Sequence, residues 1–135
     1  MENFFLKKRR GFTLLEVLIV IAIIGILVSL GVVSYSSAQR KTRNSKRRGD
    51  VKAIQGAWEQ YYADNSSAYP DSCTITATYM PSGLPTDPKS AAAYAGVCSA
   101  SSYCFCALLE SESGNASDGS CTYGTGSYFC VSQLQ

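Results

Sequence analysis

Apolar residues are distributed unevenly along the chain. Residues 12–33, FTLLEVLIVIAIIGILVSLGVV, carry a single charge, Glu16. A helix of that length spans roughly 33 Å, which is enough to cross the hydrocarbon core of a bilayer. The run is also longer than the apolar region of an ordinary secretory signal, typically ~7–15 residues. The pattern therefore predicts a membrane helix that is retained.

A second helical pattern follows the membrane segment. One apolar face is formed by positions spaced i, i+3, i+7 and i+10, namely Val51, Ile54, Trp58 and Tyr61. No proline precedes Pro70, so nothing obliges the chain to break its helix earlier. We predict one helix from about Phe12 to Ala63, ended by the polar residues 64–67 and by Pro70.

After Pro70 the chain is rich in turn residues, and two apolar runs, 103–109 and 127–131, predict strands. Together these patterns predict an α+β, ladle-like protein with a long N-terminal helix and a small antiparallel β head. We assign residues 12–34 to the transmembrane half of the helix, 35–64 to its amphipathic half and 65–135 to the head.

The cysteines all lie after the membrane segment; they are Cys73, Cys98, Cys104, Cys106, Cys121 and Cys130. An even number in an exported domain predicts disulfides. Cys104 and Cys106 share one face of the predicted strand, so they need two different partners, for which Cys121 and Cys130 are candidates. About 15 pairings of six cysteines are formally possible. Without a CxxC pair or any histidine, we expect no metal site in the head.

Charge is segregated along the chain. Basic blocks at residues 7–10 and 40–48 flank the apolar span, and the rest of the chain is acidic. The first block favours a cytoplasmic N-terminus, and the second favours the opposite orientation. The cysteines require the oxidising side, so we place the C-terminal domain outside the inner membrane.

The second basic block has three interpretations. Its residues 40–48 could be solvated or face lipid headgroups. They could instead contact the acidic head of another subunit. They could also bind DNA, although no aromatic residue interleaves the block, which disfavours a nucleic-acid surface.

Catalytic chemistry finds little support in the composition. The chain has no histidine, which removes the commonest general base and metal ligand. Four acids of the head could in principle ligate calcium, but they lack the spacing of an EF-hand loop; they are Asp71, Asp87, Glu110 and Asp118. We expect neither an enzyme nor a bound cofactor.

The most specific signal is Gly11-Phe12-Thr13-Leu14-Leu15-Glu16, which directly follows the basic residues 7–10. This sequence resembles the precursors of type IV pilins and pseudopilins, in which a basic leader ending in glycine precedes Phe-Thr-Leu-Leu/Ile-Glu and an apolar helix. The resemblance implies that a prepilin peptidase removes residues 1–11 by cutting between Gly11 and Phe12. It also implies N-methylation of the new Phe12 amine.

A looser resemblance to pseudopilins lies at the end of the predicted helix. It rests on Asp50, Ile54, Ala57, Tyr61 and the dipeptide Tyr69-Pro70. It implies a globular head built on the helix. The family's frequent transmembrane proline is missing, so Gly25 and Gly31 are the candidate points of helix unwinding, unless they are simply tolerated.

Glu16 stands out because a carboxylate inside a membrane span costs about 2.5–3.5 kcal/mol by insertion scales. Residues 12–33 contain no cation that could offset this cost. The resemblance supplies a partner after cleavage, the Phe12 amine of a neighbouring subunit, and so gives Phe12 and Glu16 a role in assembly. The alternative is a glutamate whose side chain reaches the cytoplasmic interface.

We therefore expect the major pilin of a type IV pilus, polymerised into an extracellular fibre for adhesion, twitching motility or DNA uptake. The implied partners are identical subunits, the prepilin peptidase, the inner membrane before assembly, and the assembly platform with its motor ATPases. One alternative is a pseudopilin of a type II secretion or competence machine. Another is a membrane-anchored extracytoplasmic binding module, which would not assemble.

Overall fold

The computed structural model describes residues 11–135, so the predicted leader lies outside the described residues except for Gly11. The elements are α1 (Leu14–Asp64), β1 (Ala95–Ser99), β2 (Ser102–Leu108) and β3 (Tyr128–Ser132). This confirms the predicted α+β class. The chain divides into two compact units, one up to Ser37 and one comprising Ala38–Gln135.

The first unit is an apolar helix. An 18-residue window within α1 has a mean hydropathy of 3.0, so the helix is long and apolar enough to cross a membrane. Its large apolar side chains between Leu14 and Val32 are exposed, and even the least exposed of them, Ile19, is 48% accessible. No residue from Gly11 to Ser37, the described part of this unit, covers them. Lipid or other protein chains are the natural means of burying such a surface.

The second unit has its core between α1 and the inner face of the sheet. Val51, Ile54 and Trp58, three of the four positions in the helical pattern, are at most 1% exposed. Trp58 packs edge-to-face on Phe105, with ring centroids 4.8 Å apart, and lies 6.2 Å from the ring of Tyr103. Tyr103 and Phe105 point to the helix because alternate residues of a strand share one face.

The sheet is an antiparallel meander in the order β1-β2-β3. Both predicted strands are present. Strand β2 begins and ends one residue earlier than predicted, and β3 begins and ends one residue later. The first strand, β1, was missed because Ala95–Ser99 has few β-branched or aromatic residues and includes Gly96. That glycine is needed, since a Cβ there would lie 2.6 Å from Cε1 of Phe105.

The outer face of the sheet is covered by the segment 113–126. Within this segment Ala116 is fully buried, and it forms isolated β-bridges with Tyr123 and Tyr128. Close backbone approach is possible because of two glycines. A Cβ on Gly114 would lie 1.8 Å from the carbonyl oxygen of Tyr128, and one on Gly126 would lie 2.2 Å from that of Ala116.

Candidate functional site

Helix α1 begins with a reciprocal cap formed by Thr13 and Glu16. Both the backbone N–H and the hydroxyl of Thr13 donate to Oε2 of Glu16 at 2.8 Å, and the Glu16 N–H donates to Oγ1 of Thr13 at 3.2 Å. This arrangement satisfies donors that a helix N-terminus otherwise leaves unpaired. It explains why the helix begins at Leu14, two residues later than expected.

The cap also gives Glu16 a partner inside its own chain, which our sequence argument overlooked. The signal was present, because Thr13-x-x-Glu16 is a capping-box sequence. Gly11 and Phe12 precede the cap and are exposed, Phe12 to 88%. The expected cleavage point therefore lies immediately before a structured helix start.

Gly25 and Gly31 lie within the unbroken helix, and a Cβ on either would meet no other atom within 4 Å among the described residues. Their side-chain positions are therefore open in this single chain. Helix unwinding at these glycines stays a prediction about assembly.

Three arginines of the second basic block, with Asn44, bind acids of the head, and we call this set the arginine network. Arg43 makes two bonds to the carboxylate of Glu110, at 2.6 and 2.7 Å. Arg47 is 3% exposed; it bonds Glu110 through Nη1 at 2.7 Å and also forms an ion pair with Asp87. Asn44, 1% exposed, donates to the Glu110 carbonyl and accepts its N–H. These contacts fix the segment after β2 to the helix.

The outer part of the arginine network is more exposed. Arg48 bonds Glu112 at 2.9 Å, and its guanidinium lies 4.9 Å from the ring centroid of Phe129. Asn44 donates to the same Glu112 at 2.9 Å. At the other end, Nζ of the exposed Lys89 lies 3.6 Å from Glu110.

The arginine network changes how the basic block is understood. Hydrogen bonds from Arg47 hold the pKa of Asp87 well below its usual range, and those from Arg43 and Arg47 do the same for Glu110. Their charges are thus compensated by arginine, which leaves them poorly suited to calcium. None of our three interpretations of the block included this intrachain role. Within residues 11–135, Arg40, Lys41 and Lys46 form no ion pair.

A partly buried carboxylate on the helix was also missed. Glu59 accepts hydrogen bonds from the hydroxyls of Tyr69 at 3.1 Å and Tyr103 at 2.7 Å, and from the N–H of Leu134. Burial, followed by the bond to Glu59, raises the pKa of Tyr69 to about 12. The same causes raise the pKa of Tyr103. Glu59 thereby connects the helix, β2 and the C-terminus.

The six cysteines form three disulfides: Cys73–Cys98, Cys104–Cys121 and Cys106–Cys130. Cys104 and Cys106 have different partners, as their shared strand face indicated. The last two bonds lie together, and their four sulfurs, which we call the cysteine cluster, are all within 4.8 Å of one another.

Four sulfurs so close together could in principle hold a metal ion, but their surroundings do not suit thiolates. Two carbonyl oxygens contact these sulfurs: that of Val131 lies 3.7 Å from Sγ of Cys121, and that of Asp118 lies 3.6 Å from Sγ of Cys130. A carbonyl oxygen repels a thiolate, whereas a metal site stabilises one. Disulfides fit these positions better.

Comparison with known proteins finds the same relationship as the motif. Residues 6–32 match the family model of the prokaryotic N-terminal methylation motif. The type II secretion system core protein G of Klebsiella pneumoniae is 42% identical over 61 residues, which is 45% of this chain and 44% of that protein. The corresponding protein of Escherichia coli K12 is 43% identical over 58 residues, 43% of this chain and 40% of that protein.

The Vibrio cholerae protein G is 40% identical over 65 residues, 48% of this chain and 44% of that protein. The matches thus span less than half the length of these relatives. No solved structure matches the chain. The chain thus carries the prepilin methylation motif and is homologous over part of its length to protein G of type II secretion, and its long helix with a small disulfide-bonded sheet has the α+β form of a type IV pilin-like protein.

Proposed function

We propose that this protein is a pseudopilin, a structural subunit that polymerises through its N-terminal helix into a fibre of a type II secretion-type machine. The observation that carries this proposal is the exposed apolar helix that starts, capped by Glu16, directly after Phe12. The relatives favour a secretion subunit over the major pilin of a surface pilus that we first expected, because the three described above are secretion core proteins.

Before assembly, the apolar helix anchors the subunit in the inner membrane with the head outside. The prepilin peptidase removes residues 1–11 and methylates Phe12, and an assembly platform with motor ATPases builds the fibre. The three disulfides support an extracytoplasmic head, since such bonds persist in oxidising compartments.

The geometry at the helix start supports a role for Glu16 in assembly. Its Oε2 receives both bonds from Thr13, and no described residue donates to Oε1. One oxygen is therefore held at the helix N-terminus, and the other remains able to accept a charged donor. Cleavage would create such a donor at Phe12, and pairing with a neighbour's amine in an apolar fibre core would fix the axial register.

The processing step is tested by coexpressing the full chain with a prepilin peptidase and measuring the intact mass of the membrane-bound product. We expect a chain that starts at Phe12 and is heavier by one methyl group. Gly11→Val should keep its leader, because a β-branched residue blocks close approach to the scissile bond. Retention of residues 1–11 by the unaltered chain would exclude the proposal.

Assembly is tested with Glu16→Ala, using Lys52→Ala as a control at an exposed residue outside both the cap and the basic block 40–48. The first variant should be processed but absent from fibres, and the second should assemble. A membrane-anchored binding module would be indifferent to both changes. Fibres restricted to the cell envelope would support a pseudopilin. Abundant fibres sheared from the cell surface would instead support the major pilin of a type IV pilus.

A further inference from the structure

The two disulfides of the cysteine cluster are in contact on the outer face of the sheet. Cys106 lies directly opposite Cys130 in the register of β2 and β3. Its Sγ is 3.6 Å from that of Cys104 and 3.7 Å from that of Cys121. Both sulfurs of one disulfide therefore adjoin the same sulfur of the other. Whichever of them is freed already faces Cys106.

Access to the cysteine cluster is one-sided. Cys104, Cys106 and Cys130 are at most 7% exposed. Cys121 is only partly buried and belongs to the segment 113–126 that covers the sheet. An external thiolate therefore reaches Cys121 before it reaches the other three sulfurs, and exchange rates depend on access to the attacked sulfur.

We propose that the cysteine cluster is a single thiol-exchange site. An external thiolate attacks Cys121, and Cys130 is the thiol that is finally released. The incoming thiolate bonds to Sγ of Cys121, and the Cys104–Cys121 bond breaks, which releases Cys104 as a thiolate. Cys104 then attacks Sγ of Cys106, and a Cys104–Cys106 bond forms as the Cys106–Cys130 bond breaks. Cys130 leaves as a thiolate and takes up a proton, so one thiol is consumed and one is produced.

Local geometry suits both the new bond and the leaving group. Residues two apart on a strand are separated by roughly 6.6 Å, within the Cα separations that disulfides span. Sγ of Cys130 lies 3.6 Å from the carbonyl oxygen of Asp118. The released thiol can donate its S–H to that oxygen, which favours the protonated product over a thiolate that would reverse the exchange.

The remaining disulfide provides an internal control. Cys98 is paired with Tyr103 in the register of the sheet, so Cys73–Cys98 belongs to the opposite, core-facing side. Neither of its sulfurs is part of the cysteine cluster. Exchange at Cys73–Cys98 must therefore proceed independently of Cys121.

The test treats the full chain in detergent micelles with glutathione for increasing times, quenches with acid, alkylates free thiols and maps the peptides without further reduction. Among molecules in which the cluster has reacted once, we expect Cys130 alkylated, glutathione on Cys121 and Cys104 bonded to Cys106. Cys104 alkylated with Cys106–Cys130 intact, or glutathione on Cys104 with Cys106 bonded to Cys121, would overturn the proposal.

A variant separates relay from direct attack. In Cys104→Ala/Cys121→Ala the entry bond is gone, so opening of Cys106–Cys130 by glutathione should slow by about tenfold or more because the buried pair must be attacked directly. Opening of Cys73–Cys98 in the same sample should be unchanged. An unchanged or faster rate at Cys106–Cys130 would contradict a relay through Cys121.

Discussion

Replacing Arg47 by methionine tests whether the arginine network holds the head on the helix. Methionine keeps an unbranched apolar stem and removes only the guanidinium, which bonds two carboxylates; the whole Arg47 side chain is 4% exposed. Breaking a buried ion pair on one side costs about 3–5 kcal/mol. In this variant Asp87 still accepts hydrogen bonds from the N–H groups of Lys89 and Ser90, and Glu110 still accepts them from Arg43. We therefore expect Arg47→Met to lower the free energy of unfolding by about 3 kcal/mol, the low end of that range.

Trp58 provides the assay. It is the single tryptophan of the chain and is fully buried between helix and sheet, so its fluorescence reports unfolding of the head. Urea unfolding of the full chain in micelles, with disulfides intact, gives the free energy for each variant. Arg40→Met is the matched control: Arg40 is exposed and unpaired among residues 11–135, so its loss should cost less than about 0.5 kcal/mol.

The pH dependence identifies the cause of any loss. Because the folded-state pKa of Asp87 is lowered, its stabilising contribution is present above the unfolded value, about 3.9, and is lost as the pH falls below it. The difference between Arg47→Met and the unaltered chain should therefore shrink as the pH falls from 7 towards 2. A difference no larger than that of Arg40→Met, or one independent of pH, would refute the reasoning.

Three further substitutions use the same Trp58 assay: one tests the core, one tests the covering segment, and one is the control for the second. Tyr103→Phe removes a bond to Glu59 and should cost about 1.5 kcal/mol at pH 7. Because the pKa of Tyr103 is raised, that stability should fade above pH ~10, so equal losses at pH 7 and 11 would contradict it. Gly114→Ala should destabilise, since its Cβ would overlap the Tyr128 carbonyl; Gly49→Ala, in open helix, should stabilise by up to about 1 kcal/mol. Similar effects of the two alanines would be inconsistent with the close approach described.

The sequence predicted best what depends on periodicity over many residues. The 3.6-residue spacing of Val51, Ile54 and Trp58 located the buried face of the helix, and alternation in β2 separated its core-facing residues from its cysteines. Strand β1 carries almost no such signal, because it is held by pairing with β2 and by the fit of Gly96 beneath Phe105.

Contacts between distant parts of the chain were beyond the sequence argument. Arg43 and Glu110 are separated by 67 positions, and nothing in their local sequence indicates that they meet. Glu16 was different. Its cap with Thr13 spans only three positions, so the capping-box sequence alone indicates the bond.

The arginine network also bears on the conflict between the two basic blocks. The positive-inside tendency acts on the chain as it inserts, before the head has folded. At that stage Arg43 and Arg47 lack their partners, because Asp87 lies 40 positions beyond Arg47, and Glu110 lies further still. The second block therefore opposes the proposed orientation during insertion, and residues 7–10 must outweigh it. Once the head has folded, the same arginines join the helix to the segment after β2 through Glu110.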